Sequence, residues 1–382
     1  MDSKFVVRKP PKAIAGTHSF STLRPFRLGR LNKAGEDRGK RFAGFFGAGN
    51  KMSTTKRKTV DRRRFLGLLA AGGAACFGLD GKLFAAEDVP GEERTFSFGV
   101  IADVQYGEGD PQLSRYYRES LGKLEECVKR LNALKPDFII QMGDLIQGNL
   151  ATYDVVLPIL EKLAMPCYHI LGNHDGDVEP ENRNKVVPQL GLDKLGDKKG
   201  YYDFGRAGWR FVVLNGNDIS VLAHAPGTAP WLAAASLLRD LREKGARNAQ
   251  DWNGALGKEQ MKWLGRTLAK ASRAGEKTIV LCHYPVYPAG SHTLWNDREV
   301  IRILESHRGV VAYFNGHQHE GDYALKKGIH YLTFRGMVET KQTAYALVEV
   351  YSNCLRVIGF GRESNRLLQT GQGQVRPSQT AR

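Results

Sequence analysis

Residues 96–103 read FSFGVIAD and residues 138–144 read FIIQMGD, two apolar runs of strand length that each close on an aspartate. An apolar run without alternation is the pattern of a strand covered on both faces. Between the two, Leu121, Leu124, Cys127, Val128 and Leu131 recur at helical spacing. That spacing predicts a helix over 113–134, which Pro136 ends. Further on, a helix around 152–163 precedes a third strand over 167–171 that leads to Gly172-Asn173-His174. Residues 278–282 run into His283, and 310–314 run into Gly316-His317. Strand–helix alternation with polar residues at successive strand exits predicts an α/β sheet with a site along its carboxyl edge.

The rest of the chain adds less. Hairpin-like strands are expected at 201–204 and 209–215, a long excursion near the site at 216–256, a helix at 260–271, and short strands up to about residue 360. Beyond Arg366 the composition turns polar and predicts a disordered tail over 367–382.

The net charge of +16 invites a nucleic-acid reading. Residues 1–64, however, hold 18 Lys/Arg against 4 Asp/Glu, so nearly all of the excess lies there. The remainder is close to neutral, whereas a basic face for nucleic acid belongs on the folded body. Nucleic acid is therefore excluded as a partner. The five cysteines, at 76, 127, 167, 282 and 354, form no CxxC and no even framework. Cys127, Cys167 and Cys282 lie in helix- and strand-like runs and read as small buried hydrophobes.

Residues 1–51 lack periodicity, which predicts a disordered basic leader. From Met52 the text becomes MSTTKRKTVDRRRFLGLLAAGGAACFG. A basic stretch, then Arg62-Arg63-Arg64-Phe65-Leu66, then an apolar run over 66–79 make the three parts of a signal peptide, too short for a stable membrane span. The pattern resembles a bacterial twin-arginine signal over 52–86, with Arg62 and Arg63 as the pair. It implies the twin-arginine export machinery as the precursor's partner and a periplasmic destination. Because Met52 opens the signal, residues 1–51 are expected to be an artefact of start-site assignment.

Five short motifs end apolar strands: Asp103-x-Gln105, Gly143-Asp144, Gly172-Asn173-His174, Cys282-His283 and Gly316-His317-x-His319. One D-x-Q or G-D at a strand exit is ordinarily a turn or a helix cap. Five metal-competent motifs at five strand exits are not turn chemistry. Phosphate-ester hydrolysis needs charge neutralisation on the phosphoryl oxygens and a nucleophilic water at neutral pH, which two divalent ions about 3.5–4 Å apart supply. A carboxylate is the natural bridge between them, and Asp144 takes that role. Asp103, Gln105 and His319 then complete one ion, and Asn173, His283 and His317 the other. Oxygen and imidazole donors without thiolate favour Mn²⁺, Fe or Zn²⁺. His174, beside a ligand, is placed to stabilise the transition state or to protonate the leaving oxygen.

This set resembles the calcineurin-like metallophosphoesterase superfamily, whose blocks run D-x-H, GD, GNH, H and GHxH. Gln105 departs from the usual His, and in Ala102-Asp103-Val104-Gln105-Tyr106 it is similar to the manganese-dependent ADP-ribose/CDP-alcohol diphosphatase family. The likeness extends to Tyr116-Tyr117-Arg118, His283-Tyr284-Pro285-Val286-Tyr287-Pro288, Leu294-Trp295-Asn296, Gly336-Met337-Val338-Glu339-Thr340 and Gly359-Phe360-Gly361-Arg362, and covers about residues 96–367. It implies a four-layer α/β/β/α sandwich with a dinuclear metal site, manganese foremost, at the carboxyl edge of the sheets. It also implies cleavage of the pyrophosphate bond of nucleoside diphosphate-X substrates such as ADP-ribose or CDP-choline. A phosphomonoesterase or cyclic-nucleotide phosphodiesterase on the same metals is the rival enzymatic reading. From another class, the chain could be a non-catalytic metal-binding periplasmic module, which would leave His174 without a purpose.

Overall fold

A computed structural model describes residues 93–196 and 199–371. The leader, the signal over 52–86 and residues 372–382 lie outside the described residues.

Two six-stranded sheets form the body. One contains β1 (Phe96–Ile101), β2 (Phe138–Gln141), β3 (Cys167–His169), β10 (Ala344–Val350), β11 (Cys354–Gly361) and β12 (Arg366–Gln369), ordered β12-β11-β10-β1-β2-β3. The other contains β4 (Tyr202–Arg206), β5 (Trp209–Val213), β6 (Lys277–Leu281), β7 (Val310–Asn315), β8 (Asp322–Lys326) and β9 (Ile329–Thr333), ordered β4-β5-β6-β7-β9-β8. β1, β2 and β3 are parallel, as are β5, β6, β7 and β9; the outer strands pair antiparallel. Parallel strands share one carboxyl edge, so β1, β2 and β3 deliver their exits together, and β6 and β7 deliver theirs.

Side-chain alternation explains the layering. Phe98 and Phe138 of the first sheet meet Phe211 of the second edge-on, with ring centroids 5.4 Å and 5.2 Å away. Phe211 and Val213 therefore face the core between the sheets. Val212, one position out of phase, packs with Leu264 and Leu268 of the helix Lys258–Arg273 and with Val300 and Leu304 of the helix Asp297–Glu305. On the far side of the first sheet, the helix Ser120–Leu134 presses so close that a Cβ on Gly99 would lie 3.0 Å from a Leu131 methyl. The result is the expected α/β/β/α sandwich. Each fully buried Phe or Leu in these layers contributes about 1.5–3 kcal/mol relative to exposure.

Several boundaries move. The first helix begins at Ser120 rather than 113, because Gln112 and Arg115 bridge each other and Arg115 also bridges Glu339, which holds 112–115 out of helical register. It ends at the left-handed Lys135, just before Pro136, as a helix stop should. The next helix is Tyr153–Leu160, shorter than expected, and the third strand stops at His169. The excursion 216–256 holds an unforeseen helix, Ala229–Glu243. Residues 367–369, assigned above to a disordered tail, pair with β11 as part of β12, where Leu368 points inward and is buried. A polar composition there concealed an edge strand with a single inward anchor. Cys127 and Cys282 are buried and Cys167 half-buried; burial pushes the Cys282 thiol up to about 11 and the Cys167 thiol up to about 12, so both are inert at neutral pH. No helix among the described residues is long and apolar enough to cross a membrane.

Candidate metal centre

The five strand exits converge, and the eight residues anticipated from the sequence meet. One ligand atom each from Asp144, His283 and His317 lies within 4.8 Å of the others, and so does one each from Asp103, Asp144 and His319. Asp144 is common to both groups. Its Oδ2 stands 3.2 Å from His283 Nε2 and 3.1 Å from Gln105 Nε2. Asn173 Oδ1 is 3.2 Å from His283 Nε2, and His319 Nε2 is 3.5 Å from Asp103 Oδ1. Asp103, Gln105, Asp144 and His283 are wholly buried, while Asn173, His317 and His319 are nearly so.

The backbone bends sharply to bring these side chains inward. Asp103, Gln105, Asp144 and His317 have φ of 51°, 42°, 53° and 68°, a region that costs a non-glycine residue about 1–3 kcal/mol. Surrounding hydrogen bonds hold this strain. The Asp103 carbonyl accepts from Val338 N at 2.9 Å, and the Gln105 amide donates to Asp144 O at 2.8 Å. Asp175 contributes most: its carboxylate accepts from Asp144 N (2.8 Å), Leu145 N (3.0 Å), Gly172 N (2.9 Å) and the Tyr153 hydroxyl (2.9 Å). Burial, then the Asp144 charge, raises Asp175 to about 6. The glycines serve close approach as much as turning. A Cβ on Gly172 would lie 2.1 Å from Asp144 Oδ1, and one on Gly143, at φ 96°, would lie 2.6 Å from His283 Nδ1.

His283, His317 and His319 each have one ring nitrogen engaged on the side away from the cluster. His283 Nδ1 lies 2.9 Å from Met142 O, His319 Nδ1 lies 2.7 Å from Glu339 Oε1, and His317 Nε2 lies 2.9 Å from Asn253 Oδ1. Such outer contacts fix the tautomer and turn the other nitrogen toward the centre. The charge states follow. Burial opposes protonation of His283, yet Asp144, Asp103 and the Met142 carbonyl together outweigh it and raise the ring to about 9. His319 behaves alike: burial is overcome by Asp103 and Glu339, again to about 9. His317 goes the other way, held well below its usual value by burial and by His283. Burial also disfavours the charge on Asp144, but His283 and His174 hold it far below the usual carboxylate range.

This donor set fits divalent ions. It is built of carboxylate, amide and imidazole groups with no thiolate, and its polar atoms are not all satisfied. Gln105 turns Nε2 toward Asp144 and His319 and leaves Oε1 buried without a hydrogen-bond partner. Turning that amide over would offer its oxygen to the same centre. His174 lies beside it: its backbone N–H donates to Asp144 Oδ1 at 2.8 Å, while its Nδ1 is buried with no partner. Burial lowers His174, and Asp144 acts against that.

The sequence reading missed five neighbours. Asp175 directly follows the Asn173-His174 pair, so adjacency was a usable signal. Glu339 lay within a quoted stretch but was given no role. Arg115, whose Nε is 3.4 Å from Glu339 Oε1, and His292, whose ring lies 5.4 Å from that of His317, gave no periodic or motif signal. Asn253 sits inside the excursion expected near the site, but was itself given no role.

Comparison with known proteins agrees with this geometry. Residues 96–321 match the family described as calcineurin-like phosphoesterase. The manganese-dependent ADP-ribose/CDP-alcohol diphosphatase of Xenopus laevis is 30% identical over 324 residues, spanning 72% of this chain and 91% of that protein. The protein of the same name from Oryza sativa subsp. japonica is 33% identical over 297 residues, spanning 70% and 92%. Among solved structures, a dimetal phosphatase from Danio rerio superposes with a TM-score of 0.67 at 25% identity, covering 73% of this chain and all of that one.

Proposed function

The chain belongs to the calcineurin-like phosphoesterases and is a metal-dependent phosphoric ester or anhydride hydrolase, and from that premise we propose that it cleaves the pyrophosphate bond of nucleoside diphosphate-X compounds. ADP-ribose and CDP-choline are the type substrates, and Mn²⁺ is the ion. The observation that carries the reading is Asp144, one carboxylate common to two groups of ligand atoms at the edge of the sheets. The substrate class takes its support from the names of relatives that this chain covers almost end to end.

Asp103, Gln105 and His319 would hold one ion and Asn173, His283 and His317 the other, with Asp144 shared by the two groups. When bound, the pair draws charge from the phosphoryl oxygens and makes a nucleophilic water available at neutral pH. The protein's own part is positional and protonic. Asp175 clamps the two loops that present Asp144 and Asn173. Glu339, Met142 O and Asn253 hold the three imidazoles in their ligating tautomers. His174, depressed by burial, gains proton affinity as a diphosphate anion arrives, because a nearby negative charge favours the imidazolium. Its ring then holds a proton beside the departing oxygen.

Purified protein supplied with Mn²⁺ should hydrolyse ADP-ribose and CDP-choline faster than cyclic AMP or a generic phosphomonoester. A preference for either of the latter would replace the substrate assignment. Absence of hydrolysis of all four would remove the functional reading.

We also propose export to the periplasm, supported by Arg62-Arg63, Phe65-Leu66 and the short apolar run that follows. Fractionation should find the mature chain outside the cytoplasm. Unchanged export of an Arg62→Lys, Arg63→Lys double variant would sink the twin-arginine route.

A further inference from the structure

Asn253 comes from the excursion, yet it is fully buried and its Oδ1 lies 2.9 Å from His317 Nε2. Its amide orientation is settled by what surrounds it. Nδ2 lies 3.0 Å from Asn248 O and 2.7 Å from Ser291 O, two carbonyls that can only accept. The group facing His317 is therefore the amide oxygen, which also can only accept. It follows that His317 Nε2 bears the proton, and in the neutral ring this leaves the lone pair on Nδ1, the form of imidazole that a cation requires.

The segment around Asn253 is stitched into place. Ile219 and Ala255 exchange backbone hydrogen bonds at 3.0 Å and 2.9 Å, Trp295 N donates to Gly254 O at 2.8 Å, and Asn248 Nδ2 donates to Leu294 O at 2.7 Å. A Cβ on Gly254 would lie 2.2 Å from Gly216 O, so the two ends of the excursion touch at its neck. Asn253 is thus a point at which the closed excursion bears directly on a histidine of the centre, while Asn217, at its other end, donates to Gly172 O at 2.6 Å.

We propose that Asn253 is a positioning residue for the divalent ion held through His317, and that filling this position and ordering the 248–255 stem are one coupled event. The inference rests on the reading of His317 as a metal ligand. Coupling of this kind is reciprocal: whatever the amide contributes to ion binding, the ion returns to the stem. Outer contacts of this type are worth about 10–100-fold in metal affinity.

Two measurements test it, metal content of the purified full chain at controlled free Mn²⁺ and amide hydrogen exchange with and without Mn²⁺. The wild type should take up two ions. N253L should bind one of them about 10–100-fold more weakly. N253D should keep both, because it retains an acceptor for His317 Nε2–H while giving up the donors to Asn248 O and Ser291 O. A purely architectural role predicts the reverse for N253D, which would then lose the ion as N253L does. In the wild type, Mn²⁺ should slow exchange across 248–255, a readout that needs no variant to fold. If the wild type holds two ions and N253L holds both as tightly, or if exchange in the stem ignores Mn²⁺, this inference alone is overturned. A wild type that takes up no ion removes the metal reading and this inference with it.

Discussion

His317 and His319 stand two residues apart on one strand exit, yet their surroundings drive them in opposite directions. Behind His319 is a carboxylate, Glu339, with Arg115 beyond it, and the ring is raised to about 9. Behind His317 is a neutral amide, Asn253, and the ring is held well below its usual value. Both are buried, so desolvation alone does not separate them; the Asp103 and Glu339 carboxylates beside His319, and the His283 ring beside His317, do. One half of the centre is braced by charge from the loop after β9, the other by an amide from the excursion. The two halves should accordingly respond to different perturbations.

Asp144→Asn breaks the comparison altogether, because Asp144 belongs to both halves. Losing its charge removes the largest charge that favours protonation of His283 and, on the proposed assignment, would deprive the two ions of their common ligand. Metal content should fall at both positions. The turnover of ADP-ribose should drop by at least about 10³-fold, some 4 kcal/mol of transition-state stabilisation. A variant that retained two ions by elemental analysis would show that Asp144 is not the bridge.

His174→Ala tests whether chemistry can be removed while both halves stay intact. Its side chain contributes a nitrogen without a partner, so metal content should hold while the rate falls by about 10²–10⁴-fold. The loss should be smaller on a diphosphate than on an alkyl phosphomonoester, since a phosphate leaving group departs with little need of a proton. Equal losses on both substrates would argue for charge stabilisation rather than proton donation.

The parts of this centre that were legible in sequence share one physical signature. Asp103, Asp144, Asn173, His283 and His317 each come within four residues of the end of a parallel strand, and within each sheet parallel strands put their exits side by side. His319 and Gln105 follow two residues later and were carried by the motif. The bracing residues have no such signature. Glu339 arrives from a loop beyond β9, 20 residues after His319 in the chain, and Asn253 lies 64 residues before His317. Their roles depend on how two loops fold back, which neither periodicity nor spacing encodes. The same reason hid the helix Ala229–Glu243, whose only fully buried positions are Ala234 and Leu238; so thin an apolar stripe gives little period to read.

Glu339→Gln sharpens the contrast by acting on one half alone. Removing the carboxylate from behind His319 should weaken the ion held with Asp103 and Gln105 by about 10–100-fold and leave the His317 half as it was. Equal weakening of both ions in a titration followed by calorimetry would mean that the halves are not separately braced.

The smallest effect is a slope against pH. A cation must displace a proton wherever the free ring is charged, and His283 and His319, both raised to about 9, are protonated at neutrality in the metal-free protein. His317, depressed, has none to give up. Mn²⁺ uptake near pH 7 should therefore release protons, and affinity should rise with pH until about pH 9, where the two rings lose their protons unaided. Calorimetry in buffers of different ionisation enthalpy counts the protons released. In Glu339→Gln the count should fall and the slope flatten, because His319 loses one of the two carboxylates that raise it. Asn253→Leu should leave the count unchanged, since the ring it braces carries no proton to lose. A drop in that variant instead would show that His317 is charged in the metal-free protein, and that its depression does not hold there.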